Sequence, residues 1–280
     1  MTRRSLLGIV PAGAALAAVT SVKGVHVGCQ TNAWRIDPGQ FSTLLAALKA
    51  IKALGFEGFE TGFRNLGGQF GQPDSAKREL KASGLRFFAA HIFLTDYDPQ
   101  SSIAPWDLII RVAQGASALG AERLIVSGAA VGSSMSFKAA ALNRAGEFCR
   151  QQGLRLAYHN HGPEFSNGGV EINGLLGQTD PGRVHFVVDA GHAMRAGANL
   201  AEFFEQHDER IDGMHLRDFK QEQQVPLGRG EFDYRSLAAA MKKAKWGGWV
   251  LAEEERLSGE KPAEAAAGPA RQTIRNLFGV

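Results

Sequence analysis

The chain is short of several things, and each shortage removes a class of protein. Among its 280 residues there are only two cysteines, Cys29 and Cys149. They lack the spacing of a thiolate metal knuckle or a disulfide framework, so both are expected as buried thiols. Charge of one sign is equally scarce: the formal net charge is +3, and two of the cations are Arg3 and Arg4 near the N-terminus. No basic face for nucleic acid or an anionic membrane is advertised. Long apolar runs are missing too. The first candidate, between Leu6 and Ala18, is diluted by Pro11 and several glycines and falls short of the roughly 20 apolar residues of a membrane span. No low-complexity linker or charge block divides the chain.

What is present fits one large domain, with 44% hydrophobic and 21% charged residues. The first stretch, MTRRSLLGIVPAGAALAAVTS, has a basic start, an apolar middle and small residues at Ala17, Ala18 and Thr20 where a peptidase can cut. Arg3 and Arg4 followed by Ser5, Leu6 and Leu7 resemble a twin-arginine export signal. Residues 1–22 are therefore expected as a signal segment, 23–280 as the folded domain, and the periplasm as the destination; without a working signal the location would be the cytoplasm. Stable membrane insertion is not expected.

Past the leader, short β-rich runs recur eight times: VHVGCQT at 25, GFEGFET at 55, LRFFAAHI at 85, RLIVSG at 123, LRLAYHNH at 154, VHFVVDAGH at 184, IDGMHLRDF at 211 and GWVLAEEE at 248. Between most of them lie helical patterns such as FSTLLAALKAIKALG, PWDLIIRVAQGASALG, SFKAAALNRAGEFCRQQG and YRSLAAAMKKAKWGG, with apolar residues three and four apart and Gly near the end. Eight strand–helix units with no glycine-rich phosphate turn after the first strand predict a parallel (β/α)8 TIM barrel, not an open doubly wound sheet.

Polar residues gather at the C-terminal ends of these strands: Gln30 and Asn32, Glu60, His91, Ser127, His159 and His161, Asp189 and His192, His215 and Arg217, Glu253 and Glu255. In a barrel those ends converge on one face, where catalytic sites of this fold are built. Four successive units carry a carboxylate or imidazole there: Glu164, Asp189, His215 and Glu253. Three carboxylates and one imidazole form a mostly oxygen set, suited to one divalent cation, Mn²⁺ first, with Mg²⁺ or Co²⁺ as alternatives. The other reading is four separate buried polar residues, each satisfied by its own hydrogen bonds. Alternation along LAYHNH places His159 and His161 on one face, toward the same pocket if that face is the lumen; the competing role is to orient ligands. An HNH nuclease motif does not suit a barrel strand.

Taken together and in order, QTNAWR (30–35), GFEGFET (55–61), YHNHGPEF (158–165), VVDAGHAMRAG (187–197), MHLRDFK (214–220), LGRGEFDY (227–234) and GWVLAEEE (248–255) resemble the xylose isomerase-like barrel superfamily of sugar isomerases and epimerases, which also holds inosose dehydratases and a repair endonuclease. The resemblance implies that Asp189, His215 and Glu253 bind the metal and that His192 and Arg217 face the sugar. The ketose epimerases carry a carboxylate on the fifth strand, where this chain has Tyr158. Glu164 in the following loop is then expected as the remaining ligand, with His159 or His161 as its replacement. Glu164 and Glu253 are the expected acid–base pair, and His91, His159, His161, His192 and Arg217 the expected substrate contacts. The implied activity is metal-dependent isomerisation or epimerisation of an unphosphorylated keto sugar through an enediolate. Two alternatives stand beside it: a dehydratase or lyase on keto-inositols or 3-keto-glycosides, and a non-catalytic sugar-binding barrel. A homo-oligomer is implied by the family's habit. Lesser expectations place Glu60 on the substrate side or in a pair with Arg64, let Trp34, Phe93 and Trp106 stack on a sugar or simply pack, leave Lys220 at a rim or on the surface, and put Asp233 near the start of a late helix.

Overall fold

The computed structural model describes residues 24–130, 134–257 and 261–280. The expected signal segment lies outside the described residues, and among those described no helix is long and apolar enough to cross a membrane. Among the described residues ten strands form: β1 (His26–Gln30), β2 (Gly58–Gly62), β3 (Arg86–Ile92), β4 (Arg123–Ser127), β5 (Arg155–His159), β6 (Val184–Asp189), β7 (Ile211–Leu216), β8 (Asp218–Lys220), β9 (Gln223–Val225) and β10 (Trp249–Ala252). Eight of them, in the order β1-β2-β3-β4-β5-β6-β7-β10, close into a parallel barrel. These are the eight runs read from the sequence. The antiparallel hairpin β8–β9 stands outside the barrel and was not foreseen.

Nine helices accompany them among the described residues: α1 (Phe41–Ala53), α2 (Pro73–Ala82), α3 (Trp106–Leu119), α4 (Met135–Gln151), α5 (Gly162–Gln178), α6 (Ala190–Arg195), α7 (Leu200–His207), α8 (Arg235–Ala244) and α9 (Glu264–Phe278). Their apolar stripes and the outward strand residues build one large core layer. Both cysteines are buried and free; burial pushes the Cys149 thiol up to about 12. Helix α5 is interrupted: Ser166 is extended, and Asn167, Gly168 and Gly169 all take left-handed backbone with φ of 53°, 73° and 74°.

Inside the barrel a second, smaller cluster fills the lumen: Phe88, Ala89, Ile125, Ala157, Val187, Trp249 and Leu251. Two large rings fit because neighbouring strands offer glycine. A Cβ on Gly58 would stand 2.5 Å from the Trp249 ring and 2.9 Å from the Arg86 carbonyl oxygen, and that backbone oxygen cannot step aside. Gly58→Ala is therefore expected to destabilise the protein by about 1–3 kcal/mol through overpacking; a urea midpoint unchanged from wild type would contradict this packing of the floor.

The lumen residues fix what lies above them. Side chains alternate along a strand, so the residue two positions beyond an inward one also points inward. Two beyond Gly28, Gly58, Ala89, Ile125, Ala157, Val187, Gly213 and Leu251 come Gln30, Glu60, His91, Ser127, His159, Asp189, His215 and Glu253. All eight are buried, none more than 3% exposed. They form a polar ring, one residue per strand unit, at the C-terminal mouth. Two register shifts make the count work, one between Phe59 and Glu60 against β3 and one between Phe186 and Val187 against β7. At the first, Phe59 pairs with Phe87 and Glu60 with Ala89, which leaves Phe88 as the extra residue.

Candidate metal and substrate site

Four members of the ring approach most closely. Ligand atoms from His159, Asp189, His215 and Glu253 lie within 4.8 Å of one another, and all four residues are buried. His215 and Glu253 are held by a chain of hydrogen bonds running across the mouth. Glu253 Oε2 lies 2.5 Å from His215 Nδ1, and His215 Nε2 lies 2.7 Å from Glu60 Oε2. The other oxygen of Glu60 is 2.8 Å from His91 Nδ1, and His91 Nε2 is 2.8 Å from Ser127 Oγ. Glu60 thus pairs with two ring imidazoles and not with Arg64, which bonds Asp96 instead. His91 is turned toward Glu60 and Ser127, a member of the ring's own network, with the His159 ring 5.0 Å away.

Asp189 divides its carboxylate between two tasks. Oδ1 accepts from the His192 backbone N–H at 2.8 Å and so starts α6. Oδ2 lies 2.7 Å from Arg217 Nε yet neither atom finds a hydrogen-bond partner, because the N–H does not aim at the oxygen. The same guanidinium pairs with Glu253 and donates through Nη1 to Gln224 Oε1 at 3.1 Å. Asn160, unremarked in the sequence, clamps two strand ends: its Oδ1 accepts from the Asp189 N–H at 2.9 Å and its Nδ2 donates back to the Asp189 carbonyl at 3.3 Å. A short polar residue between two histidines gave no hint of that reach.

Glu164 requires a correction. Tyr158 precedes His159, so it points the opposite way, into the layer between strands and helices. Its hydroxyl donates to Glu164 Oε1 at 2.5 Å, while Glu164 Oε2 accepts from the His161 N–H at 3.0 Å. The loop carboxylate is captured by the outer face of β5 and by the start of α5, and the structure does not bring it to the other donors. His159, left open as a replacement, stands there instead. Beneath Tyr158, the fully buried Lys138 donates to the Tyr158 hydroxyl, to Glu171 Oε1 and to the Ala129 carbonyl at 2.6, 2.6 and 2.8 Å.

The electrostatics divide the site into two halves. Burial would lower the His215 pKa, but Glu60 and Glu253 on either side outweigh it and push it up to about 10. Burial would raise Glu253, yet Arg217 and His215 hold it well below the usual carboxylate range. His159 is pushed down by burial and then by His215; His161 falls to about 4 through burial and the His192 ring, and His192 itself is lowered by burial. The three imidazoles on the pocket side are therefore neutral at pH 7 and offer lone pairs or a single N–H.

The residues fit a divalent cation by a direct observation: Asp189 Oδ2 and His159 Nδ1 are buried polar atoms without hydrogen-bond partners, in a site that clusters carboxylates and imidazoles. The group holds two imidazoles where the sequence led us to expect one. Beside the four donors opens a cavity of about 670 Å³ whose lining includes His161, His192, Arg195, Phe219, Glu222 and Phe232. His192 joins the two, its Nε2 3.9 Å from Asp189 Oδ2. Phe219 and Phe232 reach the cavity because the buried Asp218 carboxylate accepts backbone N–H bonds from Phe219, Gly228, Gly230 and Phe232, which folds the loop after the hairpin. Gly230 permits this, since a Cβ there would sit 2.0 Å from Asp218 Oδ1. Asp233 accepts from the Arg235 N–H at 3.0 Å, just ahead of α8.

Comparison with known proteins agrees on the architecture. The inosose dehydratase of Bacillus licheniformis is 26% identical, with 80% of this chain and 86% of the relative covered. That of Geobacillus kaustophilus is 27% identical, but the match spans only 41% of this chain and 44% of the relative. Among solved structures, an L-ribulose 3-epimerase superposes with a TM-score of 0.74 at 16% identity, covering 91% of this chain and 95% of the other. The 3-keto-D-glucoside 4-epimerase of E. coli gives 0.70 at 17% identity, covering 91% and 100%. The sequence pattern of the xylose isomerase-like TIM barrel matches residues 48–277, and the chain belongs to that family.

Proposed function

We propose that the protein is a divalent-metal-dependent isomerase or epimerase of keto sugars that moves a proton next to a carbonyl group. The observation that carries this reading is the tight group of four metal-competent donors, in which the buried Asp189 Oδ2 accepts no hydrogen bond, next to a sugar-sized cavity that His192 and His161 line with neutral imidazoles. His159, Asp189, His215 and Glu253 would hold the cation, which when bound supplies Lewis-acid polarisation of the substrate carbonyl. The chain's own residues do the rest. Glu253, ionised and beside the donors, accepts the proton from the carbon next to the carbonyl. His161 and His192, neutral and facing the cavity, hold substrate hydroxyls, and Glu253 gives the proton it took back to the neighbouring carbon in an isomerisation. Phe219 and Phe232 cover an apolar sugar face and keep water out. Arg217 keeps the like charges of Asp189 and Glu253 together.

A dehydratase or lyase is the second reading, and the position of Glu164 favours it. With that carboxylate on the outer face, Asp189 and Glu253 are the carboxylates left among the four donors, and a single base that takes the α-proton and hands it to the departing β-hydroxyl suffices for elimination. Two of the relatives are named inosose dehydratases. Incubation with Mn²⁺ in D₂O separates the two. An isomerase or epimerase incorporates deuterium into an unreacted or epimeric keto sugar of unchanged mass otherwise; a dehydratase releases product lighter by one water. Neither exchange nor loss of water across a panel of keto-hexoses, 3-keto-glucosides and inososes would sink the catalytic reading and leave a sugar-binding barrel. Export to the periplasm and assembly into a homo-oligomer remain part of the proposal, and no nucleic acid partner is included.

A further inference from the structure

Several cations of this protein are answered by a neighbouring acid. Arg86 pairs with Glu122, Arg123 with Asp212, Arg195 with Glu222 and Arg235 with Asp233. One place gathers three that are not. A cavity of about 300 Å³ is lined by Ala33, Trp34, Arg35, Arg256, Leu257, Lys261, Pro262 and Ala263, with three cations and, among the described residues, no acid in its wall. Among the described residues none of the three makes an ion pair within 4.0 Å. Arg256 acts on its neighbour Glu255 only at longer range. Three like charges around one small space repel one another.

A second, independent feature points the same way. The indole Nε1 of Trp34 is shielded from solvent yet has no acceptor. Indole N–H is a donor only, so what it lacks is an acceptor oxygen. The cavity's far wall ends at Ala263, where α9 begins, and the positive end of that helix adds to the field. The walls also grow out of the catalytic mouth: Trp34 and Arg35 follow β1, Arg256 and Leu257 follow β10, and these two strands are paired where the barrel closes. Glu255, next to Arg256, lies 3.5 Å from Asn32 and 3.9 Å from Arg217.

We infer that this cavity binds an oxyanion, a phosphate or carboxylate, at the rim of the active-site mouth. Arg35, Arg256 and Lys261 neutralise it and the Trp34 N–H donates to one of its oxygens. The oxyanion either is carried by the sugar, which would make the substrate an acidic one, or arrives as free phosphate. The inference does not depend on the proposed reaction, because anion binding here needs no bound cation.

The test therefore uses full-length protein in EDTA, so that its outcome is separate from that of the metal site. The four tryptophans give four indole cross-peaks in a ¹H–¹⁵N spectrum, and Trp34→Phe assigns one of them. Inorganic phosphate, glucuronate, glucose 6-phosphate and, as the uncharged control, glucose are titrated in turn. The expected result is movement of the Trp34 peak by the anions with Kd on the order of 1 mM or tighter, and none by glucose. Affinity is expected to fall by about tenfold or more in R256Q/K261Q, two exposed positions whose loss spares the fold, and to stay unchanged in K243Q. Tighter binding of glucuronate or glucose 6-phosphate than of phosphate identifies a sugar-borne anion; equal or tighter binding of phosphate identifies the free ion. A Trp34 peak that ignores all three anions, or affinities equal in wild type and R256Q/K261Q, overturns the site.

Discussion

Replacing Asp189 by Asn is expected to weaken Mn²⁺ binding by at least about 100-fold, more than the loss of an outer partner usually costs a metal site. Two effects combine. The substitution removes a full negative charge from a site where no solvent screens it, Asp189 being 0% exposed. It also leaves Asn with one acceptor oxygen, and the His192 N–H at the start of α6 competes for it. Titration calorimetry with Mn²⁺, Co²⁺ and Mg²⁺ on wild type and D189N measures this, and the two-imidazole donor set predicts Mg²⁺ as the weakest of the three in wild type. Equal Mn²⁺ affinity in both proteins would remove Asp189 from the ligand set. E164Q run alongside is expected to leave Mn²⁺ affinity nearly unchanged, since its oxygens already serve Tyr158 and the His161 N–H.

The second large effect lies outside the mouth. Lys138→Met is expected to destabilise the protein by about 3–5 kcal/mol, the usual cost of taking one partner out of a buried ionic network. Lys138 is wholly buried and supplies three donors at once, to Tyr158, Glu171 and the Ala129 carbonyl. Methionine fills the volume but donates nothing, so the Ala129 carbonyl, the Tyr158 hydroxyl and the Glu171 carboxylate lose a partner in a place water does not easily reach. At the surface, Lys243→Met breaks only an exposed pair with Glu205 and is expected to change stability by less than about 0.5 kcal/mol. Urea midpoints for the two variants make the comparison; near-equal values would mean that the Lys138 network contributes no more than a surface pair. The network is also tied to the mouth, since Tyr158 holds Glu164 and Glu164 holds the backbone of His161. Lost stability in K138M should come with a changed setting of that imidazole.

The barrel and most of its polar ring were legible in the sequence for one physical reason: strands bury alternate residues, and a run that breaks its apolar habit only at the last inward position announces which end is the mouth. VHFVVDAGH and IDGMHLRDF each read that way. What could not be read were the contacts that join distant segments. Nothing in the letters LAYHNHGPEF says that Glu164 turns outward, where the Tyr158 hydroxyl on the back of β5 and the His161 N–H take its two oxygens. Lys138 sits in an ordinary helical pattern, where a lysine normally faces water. Glu60 gave no sign that it joins His91 and His215, residues 31 and 155 positions away. The hairpin β8–β9 was hidden because DFKQEQQV carries neither a turn dipeptide nor a clear apolar alternation. Its three-residue strands are stabilised by what they cover.

The shift of register opposite Phe59 and Glu60 has a consequence of a different kind. A strand has parity: odd and even positions see opposite worlds. One extra residue on β3 resets that parity, so that Phe88 and Ala89 both enter the lumen core and His91, not Ala90, arrives beside Glu60. Remove one residue from this stretch and every member of the ring would still be present in the sequence, while His91 would look out at the helices. The chemistry of this mouth is therefore written in the count of residues as much as in their identity, and a history of single substitutions would not have been enough to compose it.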